Sequence, residues 1–480
     1  MSDNKPSQRT YRWQLRVSER RALLILGDLL AGLVALGISL YYWGTSERFM
    51  GFSLEFLRKR VPIWFYLLPL IWLVCLLMIE LYDVHRAGDR AYSMRGVAGA
   101  TALGLVLYLA LYFYYNAPPI SLLPRRGVAS FLILIFAFTL AWRWLYISVF
   151  TGPQFKRRAL LVGGGKSGQM LLRAINCLNT SPFTMVGIID DDHRKLGTII
   201  QDVPVIGSSA QLLGVVQENN ISDIIVAISG DMQGGMFQAL LDVQEQGVEI
   251  IRMPTAYEEV LNRVPIMMLE ANWILKSFVD ELRVSVFFLF AKRLLDILGG
   301  LIGTLGMLLV LPFITVLTLL DDGLPIFYKQ TRYGKGGQPY NILKFRTMRL
   351  DAEPDGQPRW AREDDERATR LGRLLRKTHL DELPQFLNVL RGEMSLVGPR
   401  AERPELVEYF QQHIPFYRAR LLIKPGITGW AQVNFGYASN IDETIVKLEY
   451  DLYYIKHRNL FMDLMILLRT PATVLGFRGR

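Results

Sequence analysis

Cysteine is almost missing. The 480-residue chain carries only Cys75 and Cys177, too few for a disulfide framework or a four-cysteine zinc site. That suits a reducing, cytosol-facing enzyme rather than a secreted one. Charge is also scarce. Charged residues make up 20%, against about 25% in an ordinary soluble domain. Apolar residues take their place at 51%, which excludes a disordered chain, a collagen-like repeat and a plain soluble enzyme. The net charge of +10 at pH 7 suits anionic lipid, nucleotide or nucleic acid and does not choose among them. The length allows roughly three domains of about 150 residues each.

Four long apolar runs fill the first third, at about 22–43, 62–82, 96–115 and 128–150. Each has the roughly 20 residues needed to cross about 30 Å of hydrocarbon. Tyr41, Tyr42, Trp43, Trp64 and the Tyr112–Tyr115 cluster sit near run ends, as an interfacial aromatic belt does. The first run stands behind a basic tail, 1–21, and lacks a small-residue cleavage site, so it reads as a span and not as a signal peptide. Twelve Lys and Arg flank one side of the four runs, from Lys5 to Arg21, Arg86 to Arg95 and Lys156 to Arg158. Six flank the other, Arg48, Arg58, Lys59, Arg60, Arg125 and Arg126. The bias puts the N-terminus and everything after residue 156 in the cytoplasm. Asp28 and Arg143 lie inside apolar runs and read as bundle-facing or snorkelling structural groups.

Composition changes at residue 157. Arg158–Val162 reads as a strand, followed by Gly163-Gly-Gly-Lys-Ser-Gly168, whose Gly163, Gly165 and Gly168 match G-x-G-x-x-G, and then by a helical pattern. Further strands are expected at Val186–Ile189, Val203–Ile206, Ile221–Ala227 and Val248–Met253, separated by helices. This is a Rossmann-like, doubly wound α/β domain over 157–270. The glycines would let backbone approach a pyrophosphate at a helix N-terminus, and Asp190, Asp191 and Asp192 could hold a ribose. The alternative is that the glycines only close a tight turn. No Tyr-x-x-x-Lys pair occurs in this domain, while Tyr340 and Lys344 have that spacing elsewhere and read as a chance match.

Residues 287–320 are apolar again and long enough for a fifth span. Pro312 offers another route, because proline breaks the helical ladder. A bent helix could dip in and return to the same face. Beyond it, Lys329, Arg332, Lys335, Lys344 and Arg346 cluster, then Arg370, Arg373, Arg376 and Lys377. Leu383–Arg391 reads as a helix closed by Gly392. That puts Asp381 and Glu382 at its N-terminus, where the dipole favours an ionised carboxylate. One carboxylate could attack phosphorus while the other holds a hard cation such as Mg2+, and the surrounding cations could screen a diphosphate. Arg400, after Gly398-Pro399, adds a guanidinium with bidentate reach. Asp364-Asp365-Glu366 reads as a solvated face, His379 as a positioning or surface group, and Leu448–Leu475 as a helix lying in the membrane interface.

Five motifs carry a family resemblance. They are Lys344-Phe-Arg-Thr-Met348, Leu371-Gly-Arg-Leu-Leu-Arg-Lys-Thr378, Leu380-Asp-Glu-Leu-Pro-Gln385, Met394-Ser-Leu-Val-Gly-Pro-Arg400 and Lys424-Pro-Gly-Ile-Thr-Gly429. In this order they resemble the bacterial sugar transferases, the polyprenol-phosphate phosphoglycosyl transferases that start exopolysaccharide and O-antigen synthesis. The resemblance is strong over about 285–480, and the four spans with an α/β domain are similar to the large members of the family. It implies a membrane α-helical bundle over 22–156, the Rossmann-like CoA- or nucleotide-binding-like domain, and a mainly α transferase domain over 283–480 with a re-entrant helix about 287–320. It also implies transfer of hexose-1-phosphate from a UDP-sugar, UDP-glucose or UDP-galactose, to undecaprenyl phosphate with release of UMP. The reaction would be ping-pong, with Asp381 as nucleophile, Glu382 and Asp381 toward Mg2+, and Lys344, Arg346, Arg376 and Arg400 toward phosphates. The implied setting is the cytosolic face of the bacterial inner membrane, as a homodimer among membrane lipids, with no nucleic acid partner. The family's proline falls about a turn nearer Asp296 than Pro312 does. Two other readings compete, a membrane nucleotide-sugar oxidoreductase or epimerase using the Gly163–Gly168 loop, and a non-enzymatic scaffold for a polysaccharide complex.

Overall fold

A computed structural model describes residues 15–46, 51–114, 125–152, 155–178, 181–228, 230, 232, 234–269, 285–349, 367–436, 438 and 440–474. The cations Lys5, Arg9, Arg12 and Arg48 and the acidic run Asp364–Glu366 lie outside the described residues, as do the side chains of Tyr112–Tyr115. The chain forms two compact units, Met1–Leu261 and Asn262–Arg480. The α/β domain therefore ends earlier than residue 270. Val264 and Ile266 instead pack with Val407, Phe410 and Leu448 in the second unit.

In the first unit, three helices are long and apolar enough to cross a membrane, Val17–Ser46, Arg90–Ala110 within Arg90–Tyr114, and Arg125–Phe150. The second apolar run is not one such helix. It divides at Leu67 into Ile63–Tyr66 and Leu68–Met78, with Pro69 at the start of the latter. Past Met78 the chain turns, and Glu80 takes a positive φ of 64°. Asp28 and Arg143 are both fully buried and pair at 2.6 Å. Arg143 also donates to the carbonyl of Leu81 at 2.8 Å. The pair thus ties the first and last helices of the bundle to the turn after the broken run, in the bundle-facing role expected of it.

The α/β part of this unit holds β1 (Arg157–Val162), β2 (Phe183–Ile189), β3 (Ile199–Ile200), β4 (Val203–Gly207), β5 (Asp223–Val226) and β6 (Glu249–Arg252). Their order is β3-β4-β2-β1-β5-β6. All neighbours are parallel except β3 and β4. This matches the doubly wound pattern in type. One connection differs, because 190–202, between β2 and β4, carries the short strand β3 and no helix. Helix Met253–Leu261 also begins where the last strand was expected to end. Arg157 on β1 is 4% exposed and pairs with Asp223, Glu249 and Glu259. Arg16, just before the first membrane helix, reaches Glu249 at 3.1 Å.

The second unit is threaded by one helix, Val286–Asp321, of 36 residues, about 54 Å long at 1.5 Å per residue. It stays helical through Pro312. One face is buried along its length against its own unit. Lys292 donates to Asp463 at 2.8 Å, and Arg293 to the carbonyls of Val389 and Leu390 at 2.9 and 2.8 Å. Asp296 accepts from Ser395 and the Leu396 amide. Further on, Met307 and Ile314 pack with Phe345 and Leu375, and Asp321 accepts from the Leu371 amide at 2.9 Å. The opposite face exposes Leu298, Ile302, Leu305, Leu309, Phe313 and Leu320.

Two small sheets complete this unit. β7 (Phe327–Tyr333) and β8 (Pro339–Phe345) form an antiparallel hairpin, and β9 (Ser395–Val397) pairs in parallel with β10 (Gly426–Thr428). Leu448–Leu475 is not one interfacial helix. Helices Ile441–His457 and Leu460–Val474 break at Arg458–Asn459, and Leu448, Leu452, Tyr454 and Ile455 are core residues. Only the second helix shows large apolar groups to the outside, Phe461 and Leu464.

Candidate functional site

Asp381 and Glu382 lie in a single 3-10 turn, Leu380–Glu382, behind His379, which takes a left-handed φ of 56°. Helix Gln385–Arg391 follows and ends at Gly392, also left-handed. Asn388 holds this helix to the hairpin. Its side chain accepts from the Leu343 amide at 3.0 Å and donates to the Asn341 carbonyl at 2.8 Å. The clip sets Lys344 of β8 beside the turn. Lys344 donates to Glu382 at 2.7 Å, and Arg400, beyond β9, donates to the same oxygen at 2.7 Å. Arg400 is held from behind, because buried Arg420 donates to its carbonyl at 3.0 Å and to Asp451 at 2.8 Å.

The electrostatics divide the two carboxylates. Burial would raise Glu382, but Arg400 and Lys344 outweigh it and hold Glu382 well below the usual carboxylate range. Asp381 is 8% exposed. Burial raises its pKa, with Glu382 adding to the rise and Lys344, Arg400 and His379 opposing it. The expectation that Asp381 sits at a helix N-terminus is corrected. The helix begins at Gln385, the carboxyl sits in the turn ahead of it, and desolvation dominates. Two carboxylates pushed in opposite directions can divide nucleophilic and electrostatic work.

Comparison with known proteins now decides the family. The sequence model for bacterial sugar transferases matches residues 287–477, and one for a CoA-binding domain matches 78–254. A UDP-glucose:undecaprenyl-phosphate glucose-1-phosphate transferase of Escherichia coli (strain K12) is 31% identical over 66% of this chain and 67% of its own length. The chain belongs to the bacterial sugar transferase family. A UDP-N-acetylgalactosamine-undecaprenyl-phosphate N-acetylgalactosaminephosphotransferase of Aeromonas hydrophila is 41% identical over 46% of this chain. A UDP-glucose:undecaprenyl-phosphate glucose-1-phosphate transferase of Xanthomonas campestris pv. campestris is 31% identical over 58% of it. The chain spans 52% and 57% of the length of these last two relatives.

Not every residue singled out for the site converges on it. Lys344 and Arg400 do. Arg346 turns the other way, donating to the carbonyls of Asp322 and Gly323 and pairing with Asp322 at 3.1 Å. Its guanidinium is committed to the end of the long helix. Arg376 lies on helix Arg370–Lys377, half-exposed, with no recorded side-chain partner among the described residues. His379 is exposed, as expected of a surface group. Composition and spacing missed Asn388, Arg420 and Gln385, which are polar and buried. The hairpin was missed too, although alternating apolar residues on either side of Gly334-Lys-Gly-Gly337 were its signal.

In the α/β domain Gly163 has φ of +102°, and a Cβ on Gly168 would sit 2.2 Å from the Gly163 carbonyl oxygen. Both glycines are accounted for by the tight turn, and Gly165 caps the following helix. The carboxylate of Asp190 already accepts from the Gly164 amide at 2.8 Å and from Lys195 at 2.7 Å. Asp191 accepts from the Ser209 amide, and Asp192 pairs with Arg194. All three acids are thus engaged locally. Tyr340 and Lys344 belong to the other compact unit, and Lys344 is paired with Glu382.

Proposed function

We propose that this protein transfers a sugar-1-phosphate from a UDP-sugar to undecaprenyl phosphate, releasing UMP, as the first membrane step of exopolysaccharide or O-antigen synthesis. The observation that carries the reading is the buried Asp381–Glu382 turn with Lys344 and Arg400 converged on it. The names of the relatives support the reaction class. They specify different sugars, glucose and N-acetylgalactosamine among those above and galactose in a UDP-galactose-lipid carrier transferase of Erwinia amylovora. All three UDP-sugars are therefore candidate donors.

A carboxylate oxygen of Asp381 attacks the β-phosphorus. The bond from that phosphorus to the bridging oxygen breaks, and UMP leaves with the electron pair. An oxygen of undecaprenyl phosphate then attacks the same phosphorus and Asp381 departs as carboxylate. Lys344 and Arg400 neutralise charge on the phosphoryl oxygens. No group of three or more His, Cys, Asp or Glu suited to a metal occurs among the described residues. Two adjacent carboxylates nevertheless fit Mg2+, which is usually held by one or two carboxylates together with substrate phosphates. Asp381 and Glu382 would hold it, and bound Mg2+ would supply charge neutralisation at the diphosphate.

The setting we propose is the cytosolic face of the bacterial inner membrane, in a homodimer. The long helix re-enters rather than crosses. Both of its ends are tied to the same unit, through Lys292 and through Asp321, which supports entry and exit on one face. The test is UMP release from UDP-glucose, UDP-galactose and UDP-N-acetylgalactosamine, with and without undecaprenyl phosphate. Wild type releases UMP from at least one donor and Asp381→Asn from none. Full release by Asp381→Asn overturns the assignment.

A further inference from the structure

One side of the cleft carries donors that the protein does not use. The cleft is lined among others by Arg332, Lys344, Glu382, Gln385 and Arg400. Lys344 and Arg400 both pair with Glu382. Gln385 is 2% exposed, yet its Nε2 has no hydrogen-bond partner among the described residues. Arg332 donates through its two terminal nitrogens to the Ala401 carbonyl and to Gln330, and its Nε is buried and unpartnered. Buried donors are nearly always satisfied, and one left unmade costs stability. Two on the lining of one cleft point to a ligand.

The chemistry of that ligand follows from the donors. An amide N–H2 and a guanidinium N–H ask for acceptors and offer no lone pair to a hydroxyl, so they suit phosphate oxygens better than a sugar. Burial lowers the pKa of Arg332, and Glu402 opposes that while nearby Arg400 and Arg403 add to it, so an added anion relieves the local repulsion. Gln385 lies three residues past Glu382, about one helical turn along.

We infer that Gln385 and Arg332 form the subsite for the phosphate of the departing nucleotide, leaving Lys344 and Arg400 to the transferred phosphoryl group. This rests on the proposed transferase reading. The test uses the full-length protein in lipid nanodiscs and titrates UMP by calorimetry. Gln385→Leu keeps the volume and removes the donor. UMP affinity falls about tenfold, as loss of one hydrogen bond to a charged group predicts. KM for the UDP-sugar rises similarly, and kcat changes less. The melting temperature stays level or rises, because an unsatisfied buried amide has gone. Gln385→Glu puts an anion in the subsite and abolishes UMP binding. Wild-type UMP affinity in Gln385→Leu overturns the subsite, and so does a lower melting temperature, which marks the amide as a structural partner. A wild-type protein that neither binds nor releases UMP overturns the transferase reading instead.

Discussion

Two adjacent carboxylates meet opposite environments within one turn. Glu382 holds two cations, and no hydrogen bond or ion pair reaches Asp381 among the described residues. The folded pKa of Glu382 lies below its unfolded value, so its contribution to stability is present above the ordinary glutamate range and is lost as pH falls below it. Glu382→Gln therefore lowers stability by about 1–3 kcal/mol near neutrality. The gap from wild type closes only in acid, as melting curves against pH will show. Asp381 is shifted upward, so ionising it works against folding as pH rises through its range. Asp381→Asn accordingly abolishes UMP release while raising the melting temperature. The acidic limb of the wild-type rate profile lies above the pKa of an ordinary aspartate. The pair itself is legible in the sequence, because Leu380–Gln385 stands between basic clusters. The direction of the Asp381 shift is not, since it depends on burial created by residues far along the chain.

Helix Val286–Asp321 shows at the level of an element what periodicity can and cannot supply. Its apolar length is plain in the sequence. Which glycines matter is a packing fact. A Cβ on Gly303 would lie 2.3 Å from the ring of Phe386, whereas one on Gly306 meets nothing within 4 Å. Phe386 belongs to the helix that follows the carboxylate turn. Gly303→Ala should therefore destabilise by about 1–3 kcal/mol and depress UMP release by displacing that helix. Gly306→Ala should do neither, and thermal melts with activity assays on the two variants check the pair. The second apolar run makes the opposite point. A hydropathy window spans Leu67 and Pro69 without registering that the helix divides there.

For the whole molecule, the doubly wound sheet and the membrane-rich first third were readable from alternating patterns and apolar length. The unit boundary at Leu261 was not. Residues 262–269 have no local signal, and they join the second unit only because Val264 and Ile266 fill its core. The ion pair Asp28–Arg143 anchors the first unit in a place where neither charge meets water. Arg143→Leu leaves a buried carboxylate alone and should cost about 3–5 kcal/mol, read as earlier heat aggregation in nanodiscs, with Asp28→Asn in the same chain recovering much of the loss. Sidedness has a native reporter, since Cys177 is exposed and Cys75 buried. On the proposed cytosolic orientation, a membrane-impermeant maleimide should label Cys177 only in lysed cells.

A helix fastened near both ends to one folded unit makes its exposed apolar stripe and the carboxylate turn parts of a single rigid piece. The distance from Asp381 to that stripe is then fixed by protein packing, like the keel depth of a hull.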